Sequence, residues 1–352
     1  MPMSDVPDGI ASHAQPYQEP EPQAARKAGG NSPWRRAWRL LVRDKSAIAA
    51  VLVLLVIIAS SLAAPLYASF ISGTDPFRSN LSGKMTIDGQ RVKIMQASTE
   101  GLGLGVTPVG PTFRGPYFLG ADSQGRDVAA RLLYGGRNSL LISASATLIC
   151  LVVAAIVGIS AGFFGGATDM VLSRILDILW AFPVYLLAIS LSIVLISQGI
   201  TIGPITINSS SLLLPIGIIG IIYVPYVARP VRGRVLALKN SEFVLAAIGL
   251  GIPKWRILFK DILPNVSTTL IVFIPLMMAL NIITESALSF LSIGVQAPDA
   301  SWGTIIQDGQ GLLYTRPLVA LAPGIAIVLS VLALNVLGDS VRDALDPRTK
   351  VI

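Results

Sequence analysis

Between Asp177 and Arg229 the chain runs without a charged residue, and the stretches from Ser46 to Thr74 and from Asn138 to Thr168 are equally uncharged. Crossing a hydrocarbon layer takes about 20 apolar residues in helical form. A charge left at its centre costs about 2.5–3.5 kcal/mol on insertion scales. Tracts this long therefore read as membrane spans. Charged residues make up only 13% of the 352, and mean hydropathy is +0.68, whereas soluble domains carry about 25% charge.

Placing spans on these tracts predicts helices at 47–66, 138–168, 171–197, 211–229, 266–292 and 318–338. The third and fourth are separated by Gly199, Gly203, Pro204 and the polar run from Asn208. Loop charge orients them. A basic stretch with Trp34, Arg35, Arg36, Trp38, Arg39, Arg43 and Lys45 precedes the first span and reads as an interfacial helix on the cytoplasmic side. The segment between the fourth and fifth spans carries Arg229, Arg232, Arg234, Lys239, Lys254, Arg256 and Lys260 against Glu242 and Asp261, net +5, and belongs inside. The 293–317 loop, with Asp299, Asp308 and Arg316, is net −1 and belongs outside. The expected fold is thus an all-α integral membrane protein with about six transmembrane helices and both termini cytoplasmic.

The remaining regions follow from composition. Residues 1–33 are rich in Pro, Gln and Glu without apolar periodicity, and read as a disordered cytoplasmic tail rather than a cleavable signal peptide. Residues 34–67 hold the basic helix and first span. Residues 68–137 are mixed polar and read as a small extracytoplasmic domain containing a β-hairpin turned at Asp88-Gly89. Residues 138–352 form the core, with a cytoplasmic loop at 230–265. The net charge of +7 is explained by the positions of the cations at the membrane, so no nucleic-acid partner is implied; lipid is the partner these charges suit.

Several chemistries are excluded. One His (His13) and one Cys (Cys150, in an apolar run) cannot build a metal cluster. Gly83-Lys84 is followed by Met85 and has Arg78 where a P-loop needs its first Gly, so the chain has no nucleotide-hydrolysing motif. The Gly101–Gly105 run reads as a flexible loop. Internal repeats, which would suggest a secondary transporter, are not visible. A membrane-embedded enzyme would need paired catalytic groups at one depth.

Within the spans, Glu285 stands out, with Asn281 one turn earlier. A carboxylate at this depth faces either a translocation path or gate, or a hydrogen-bonding neighbour; the residues alone leave both open. Asn335 reads as a helix–helix hydrogen bond. Arg126 and Asp127 read as a local structural clasp or a contact for an outside partner.

The cytoplasmic loop from Ser241 to Asn265 has its own pattern. Glu242 to Ile248 should be helical, Gly249 and Gly251 should turn the chain, Pro253 should open a second helix, and Pro264 should stop or redirect it. Such an elbow could dock in a groove on another protein. Its Leu245, Ala246, Ala247, Gly251, Leu263 and Pro264 resemble the coupling loop of ABC-importer permeases. Four more segments, Leu119 to Val128, Asp177 to Pro183, Leu288 to Gln296 and Leu337 to Pro347, resemble the second permease subunit of the dipeptide, oligopeptide and nickel branch, in family order. Leu245 replaces a Glu frequent in the family, and Asp261 a His frequent in the branch.

The resemblance implies a permease that carries di- or oligopeptides by alternating access, with nickel, opine or glutathione-like cargo as alternatives. An ion-coupled secondary transporter is the competing class. The resemblance further implies a homologous second permease, two ATP-binding subunits that hold ATP and Mg, and an extracytoplasmic solute-binding protein. It implies no cofactor and no catalytic residue on this chain. Coupling to the ATPase is implied for Glu242, Leu245, Ala246, Ala247, Gly251, Asp261, Leu263 and Pro264.

Overall fold

The computed structural model describes residues 33–87, 89–98, 105–202 and 205–345. The tail expected at 1–33 lies outside them except for Pro33, as do Asp88, the 101–104 part of the glycine-rich loop, Gly203, Pro204 and the last residues of the C-terminal motif. The chain begins with α1 (Pro33–Arg43) and α2 (Lys45–Leu62), joined through Asp44, whose side chain accepts from Ser46 N and caps α2. A short α3 (Ala64–Tyr67) follows.

The segment between the first two long helices carries two hairpins and a small core of Ile94, Val109, Tyr117 and Ala121. Strand β1 (Lys84–Ile87) pairs antiparallel with β2 (Gln90–Lys93), and Ile87 faces Gln90 across the turn, where Gly89 takes φ +83°. Strand β3 (Met95–Ala97) pairs with β4 (Val106–Pro108).

Helix α4 (Val128–Phe164) runs 37 residues, longer than the 138–168 span expected. It starts ten residues early because Asp127 caps it, accepting from Ala129 N and Ala130 N at 2.9 and 3.2 Å. The charged Arg131, which bars this turn from the bilayer core, is paired there instead.

The helix expected at 171–197 is two: α5 (Gly166–Ala181) and α6 (Val184–Gln198), bent by 89°. Pro183 is the cause, because the residue before a proline is driven out of the helical region; Phe182 sits at φ −92°, ψ 138°. A hairpin of β5 (Ile200–Ile202) and β6 (Ile205–Ile207) leads to α7 (Leu213–Ile222) and α8 (Val224–Lys239), bent by 42° near Pro225. Helix α8 therefore passes the expected end at 229, and Arg229, Arg232, Arg234 and Lys239 ride on a helix rather than in a loop.

Next come α9 (Glu242–Gly249), α10 (Lys254–Ile257), a π turn at Leu258–Ile262 and α11 (Leu263–Phe290). From Lys254 to Phe290 the helix is continuous. Pro264 does not end it, because a proline in the first turn of α11 removes an N–H that the π turn has already displaced. The loop at 293–317, expected outside, contains an unexpected helix, α12 (Trp302–Gly309), started by a capping box of Ser301 and Thr304. Helix α13 (Leu318–Leu345) closes the described chain.

Among the described residues, four helical segments are long and apolar enough to cross a membrane, and counting each bent pair as one span raises this to six. The core is centred on α4 and α8, where Ala146, Cys150 and Ala154 meet Val227, Val231 and Val235. Gly158 and Gly162, spaced as a G-x-x-x-G pair, let the two backbones close up. A Cβ on Gly158 would lie 2.6 Å from Ala228 O, and one on Gly162 would lie 3.0 Å from Arg232 O.

Candidate functional site

The elbow expected on the cytoplasmic side is present as α9 and the turn behind it. Its apolar period sends Val244 and Ala247 inward, where both are buried. Glu242, Phe243, Leu245, Ala246 and Leu250 point out, Leu250 being 81% exposed. Ala247, expected at the docking surface, thus packs against the body instead.

Gly249 belongs to the helix, and the turn is made by Gly251 alone, at φ +74°. A Cβ on Gly251 would meet nothing within 4 Å, so the backbone conformation, not space, asks for glycine there. Gly251 N donates to Ile248 O and Ile252 N to Ala247 O, at 2.9 and 3.1 Å, closing the helix end. Pro253 stands one residue before α10 rather than within it.

Asp261 is half-buried, Leu263 packs against the main core, and Pro264 is exposed. Behind the elbow, Lys239 Nζ donates to Phe163 O at 2.8 Å, a cation on a helix C-terminus.

Glu285 and Asn281 are fully buried, with no exposed surface. Glu285 accepts from Ser139 Oγ at 2.8 Å and Ser289 Oγ at 2.7 Å. Ser139 Oγ in turn accepts from Trp302 N at 3.1 Å, so the carboxylate joins α4, α11 and the start of α12. Asn281 Nδ2 donates to Thr147 Oγ1 on α4 at 2.8 Å. In this conformation both side chains are enclosed and bonded to α4. Asn335 is the reverse case. It is exposed on a cavity wall, with no hydrogen bond to a neighbouring helix among the described residues.

At the end expected outside, Arg126 and Asp127 do not pair with each other. Arg126 pairs with Asp122 at 2.6 Å and Asp308 at 2.7 Å, and Arg131 with Asp308 at 2.9 Å and Asp122 at 3.3 Å. Burial pushes the Asp308 carboxyl above the usual range, opposed by the two guanidiniums. Asp127 turns the other way, accepting from Ser72 Oγ at 2.6 Å and Tyr117 N at 2.9 Å. These bonds tie the hairpin segment, α4 and α12 together.

At the end expected inside, Arg232 grips Asp169 through two nitrogens, and Arg229 pairs with Asp177 at 2.8 Å while lying 5.1 Å from the centre of the Trp180 ring. The aromatic row continues from Trp180 to Tyr226 and Phe273, with centroids 6.2 and 6.1 Å apart. Nearby, α8, α11 and α13 enclose a cavity of about 460 Å³. At the same end, Asp44 accepts from Ser340 Oγ on α13, which holds its carboxyl below the usual range. Hydropathy alone missed this group; the acid and aromatic residues flanking Pro183 were the available signal.

Comparison with known proteins matches residues 154–351 to the family described as binding-protein-dependent transport system inner membrane component. Residues 32–82 match the N-terminal TM domain of oligopeptide transport permease C. The dipeptide transport system permease protein DppC of Alkalihalophilus pseudofirmus is 34% identical over 341 residues, covering 96% of this chain and 98% of that one. The oligopeptide transport system permease protein OppC of Haemophilus influenzae is 34% identical, with 91% and 90% covered. The glutathione transport system permease protein GsiD of Pectobacterium atrosepticum is 33% identical, with 91% and 92% covered. A chain in an inward-facing structure of the MetNI methionine ABC transporter aligns over 60% of this chain and 95% of that one, at 19% identity and a TM-score of 0.48.

Proposed function

Because the chain belongs to the family of binding-protein-dependent transport system inner membrane components, we propose that it forms half of the path of an ATP-driven importer for short peptides. As a permease of this family it is a multi-pass inner-membrane transport subunit, neither an enzyme nor a carrier of a cofactor. Its partners are a homologous second permease, two ATP-binding subunits holding ATP and Mg, and an extracytoplasmic solute-binding protein. Both termini are cytoplasmic, since the cations of α1 and α8 favour that side. Relatives named for dipeptides, oligopeptides and glutathione support di- or oligopeptide cargo, glutathione being itself a short peptide.

One observation carries the mechanism. The outward face of α9 is joined through Gly251 to a helix that runs unbroken from Lys254 to Phe290. Closure of the ATPase pair around α9 pulls on that helix and reorients the spans packed against it. Leu245 in place of an acid leaves apolar contact, through Leu245, Phe243 and Leu250, as the main docking force. Glu242, exposed at the first turn, is the acid that remains on this face for a charged contact.

Gly251→Val tests this. A β-branched residue is a backbone outlier at positive φ, so the elbow should open and the ATP-binding subunits should fail to co-purify while the permease pair still inserts. Retention of the ATPase by this variant would overturn the coupling role of the elbow.

A further inference from the structure

The cavity enclosed by α8, α11 and α13 is of the size of small-molecule sites, about 300–1,000 Å³. Its wall is apolar: Val272, Phe273 and Leu276 of α11. Its rim is not. Asn335, Asp339 and Arg342 of α13 border it, and neither Asp339 nor Arg342 has an ion-pair or hydrogen-bond partner among the described residues. Three positions apart on a helix, the two charges are neighbours on one face. Opposite charges that near each other yet unpaired, above an apolar wall, suit a zwitterion carrying an apolar group.

The surroundings extend this polar face. Phe273 meets the row of Tyr226 and Trp180, capped by the Arg229–Asp177 pair, whose side chains are 40% and 55% exposed. Exposed ions and amphipathic rings at a span's end face water or protein rather than acyl chains. The cavity wall also lies on the helix that begins at the elbow, so ATP-driven motion would remodel it directly.

We infer that this cavity is the inner station of the translocation path, where a peptide's ammonium group meets Asp339, its carboxylate meets Arg342, and an apolar side chain lies against Phe273 and Leu276. The inference rests on the importer reading above. A zwitterionic phosphatidylethanolamine headgroup offers similar chemistry, and the test separates the two.

Cys150, the single cysteine of this chain, is buried, so an introduced thiol is the chain's accessible one, and labelling is read on this subunit. The complete importer carrying Asn335→Cys is reconstituted in vesicles with and without phosphatidylethanolamine and treated from the cytoplasmic side with a charged methanethiosulfonate. Leu332→Cys, on an outward position of α13, is the comparison. Asn335→Cys should react at least about tenfold faster, because a charged reagent avoids hydrocarbon. Saturating alanyl-phenylalanine should slow it about threefold or more by occupancy. N-acetyl-alanyl-phenylalaninamide, which lacks both charges, should not, and adding Arg342→Gln should remove the protection.

Equal slow rates at both positions would mean a lipid-facing cavity and overturn the inference. So would protection by phosphatidylethanolamine alone, or undiminished labelling in vesicles that still import the dipeptide with ATP. Absence of any ATP-driven uptake would instead remove the importer reading, and the inference with it.

Discussion

Glu285 shows how a single buried carboxylate organises its surroundings. Serine hydroxyls of α4 and α11 donate to it, and Ser139 relays the contact to the backbone of Trp302. Hydroxyls rotate and both donate and accept, so Glu285→Gln can be accommodated; near-normal assembly and peptide uptake are expected. Glu285→Leu leaves the hydroxyls without an acceptor, at about 1–3 kcal/mol for each buried group, and should lower the thermal midpoint of the purified permease pair. Loss of uptake in Glu285→Gln with assembly intact would favour the gate role. That Glu285 must be satisfied was legible from its depth; its partner was not, because Ser139 lies 146 positions away. Asp308 is a second case. Removing its charge in Asp308→Asn leaves Arg126 and Arg131 sharing Asp122, and breaking a buried pair costs about 3–5 kcal/mol. A large drop in the thermal midpoint should follow, and no drop would show the cluster to be ornamental.

Among the elements, α4 and α8 make the most extensive contact. Gly158→Ala pushes a methyl toward Ala228 O and should cost about 1–3 kcal/mol as overpacking. Gly217→Ala, which meets nothing within 4 Å, should be neutral or slightly stabilising. Thermal melts of the two variants, run together, check the pair, and equal melts would deny the close crossing. Hydropathy located the helices because the cost of charge in lipid is large. It did not reveal the 89° bend at Pro183, since a break between two apolar runs leaves mean hydropathy unchanged. Helix α12 was missed for another reason. Its eight residues are too few to show a period, and only the capping pair Ser301 and Thr304 marked its start. The elbow was readable, since glycine and proline act locally, but the burial of Ala247 depends on the helix behind it.

At the scale of the molecule, the end expected outside is clamped by charge and the end expected inside carries the elbow. The Asp122, Arg126, Arg131 and Asp308 cluster holds the hairpin segment to α4 and α12. The continuous helix from Lys254 to Phe290 passes from the elbow to Glu285, and Glu285 meets the start of α12 through Ser139. In the proposed mechanism, a displacement at α9 reaches the start of α12 along this route. The most direct measurement is thiol labelling of Leu250→Cys in sealed vesicles, applied from each side, with and without the ATP-binding subunits. Labelling from the cytoplasmic side only, suppressed when the ATPase is assembled, is the expected result. Labelling from the outer side would contradict the coupling of ATP hydrolysis to this permease through its elbow.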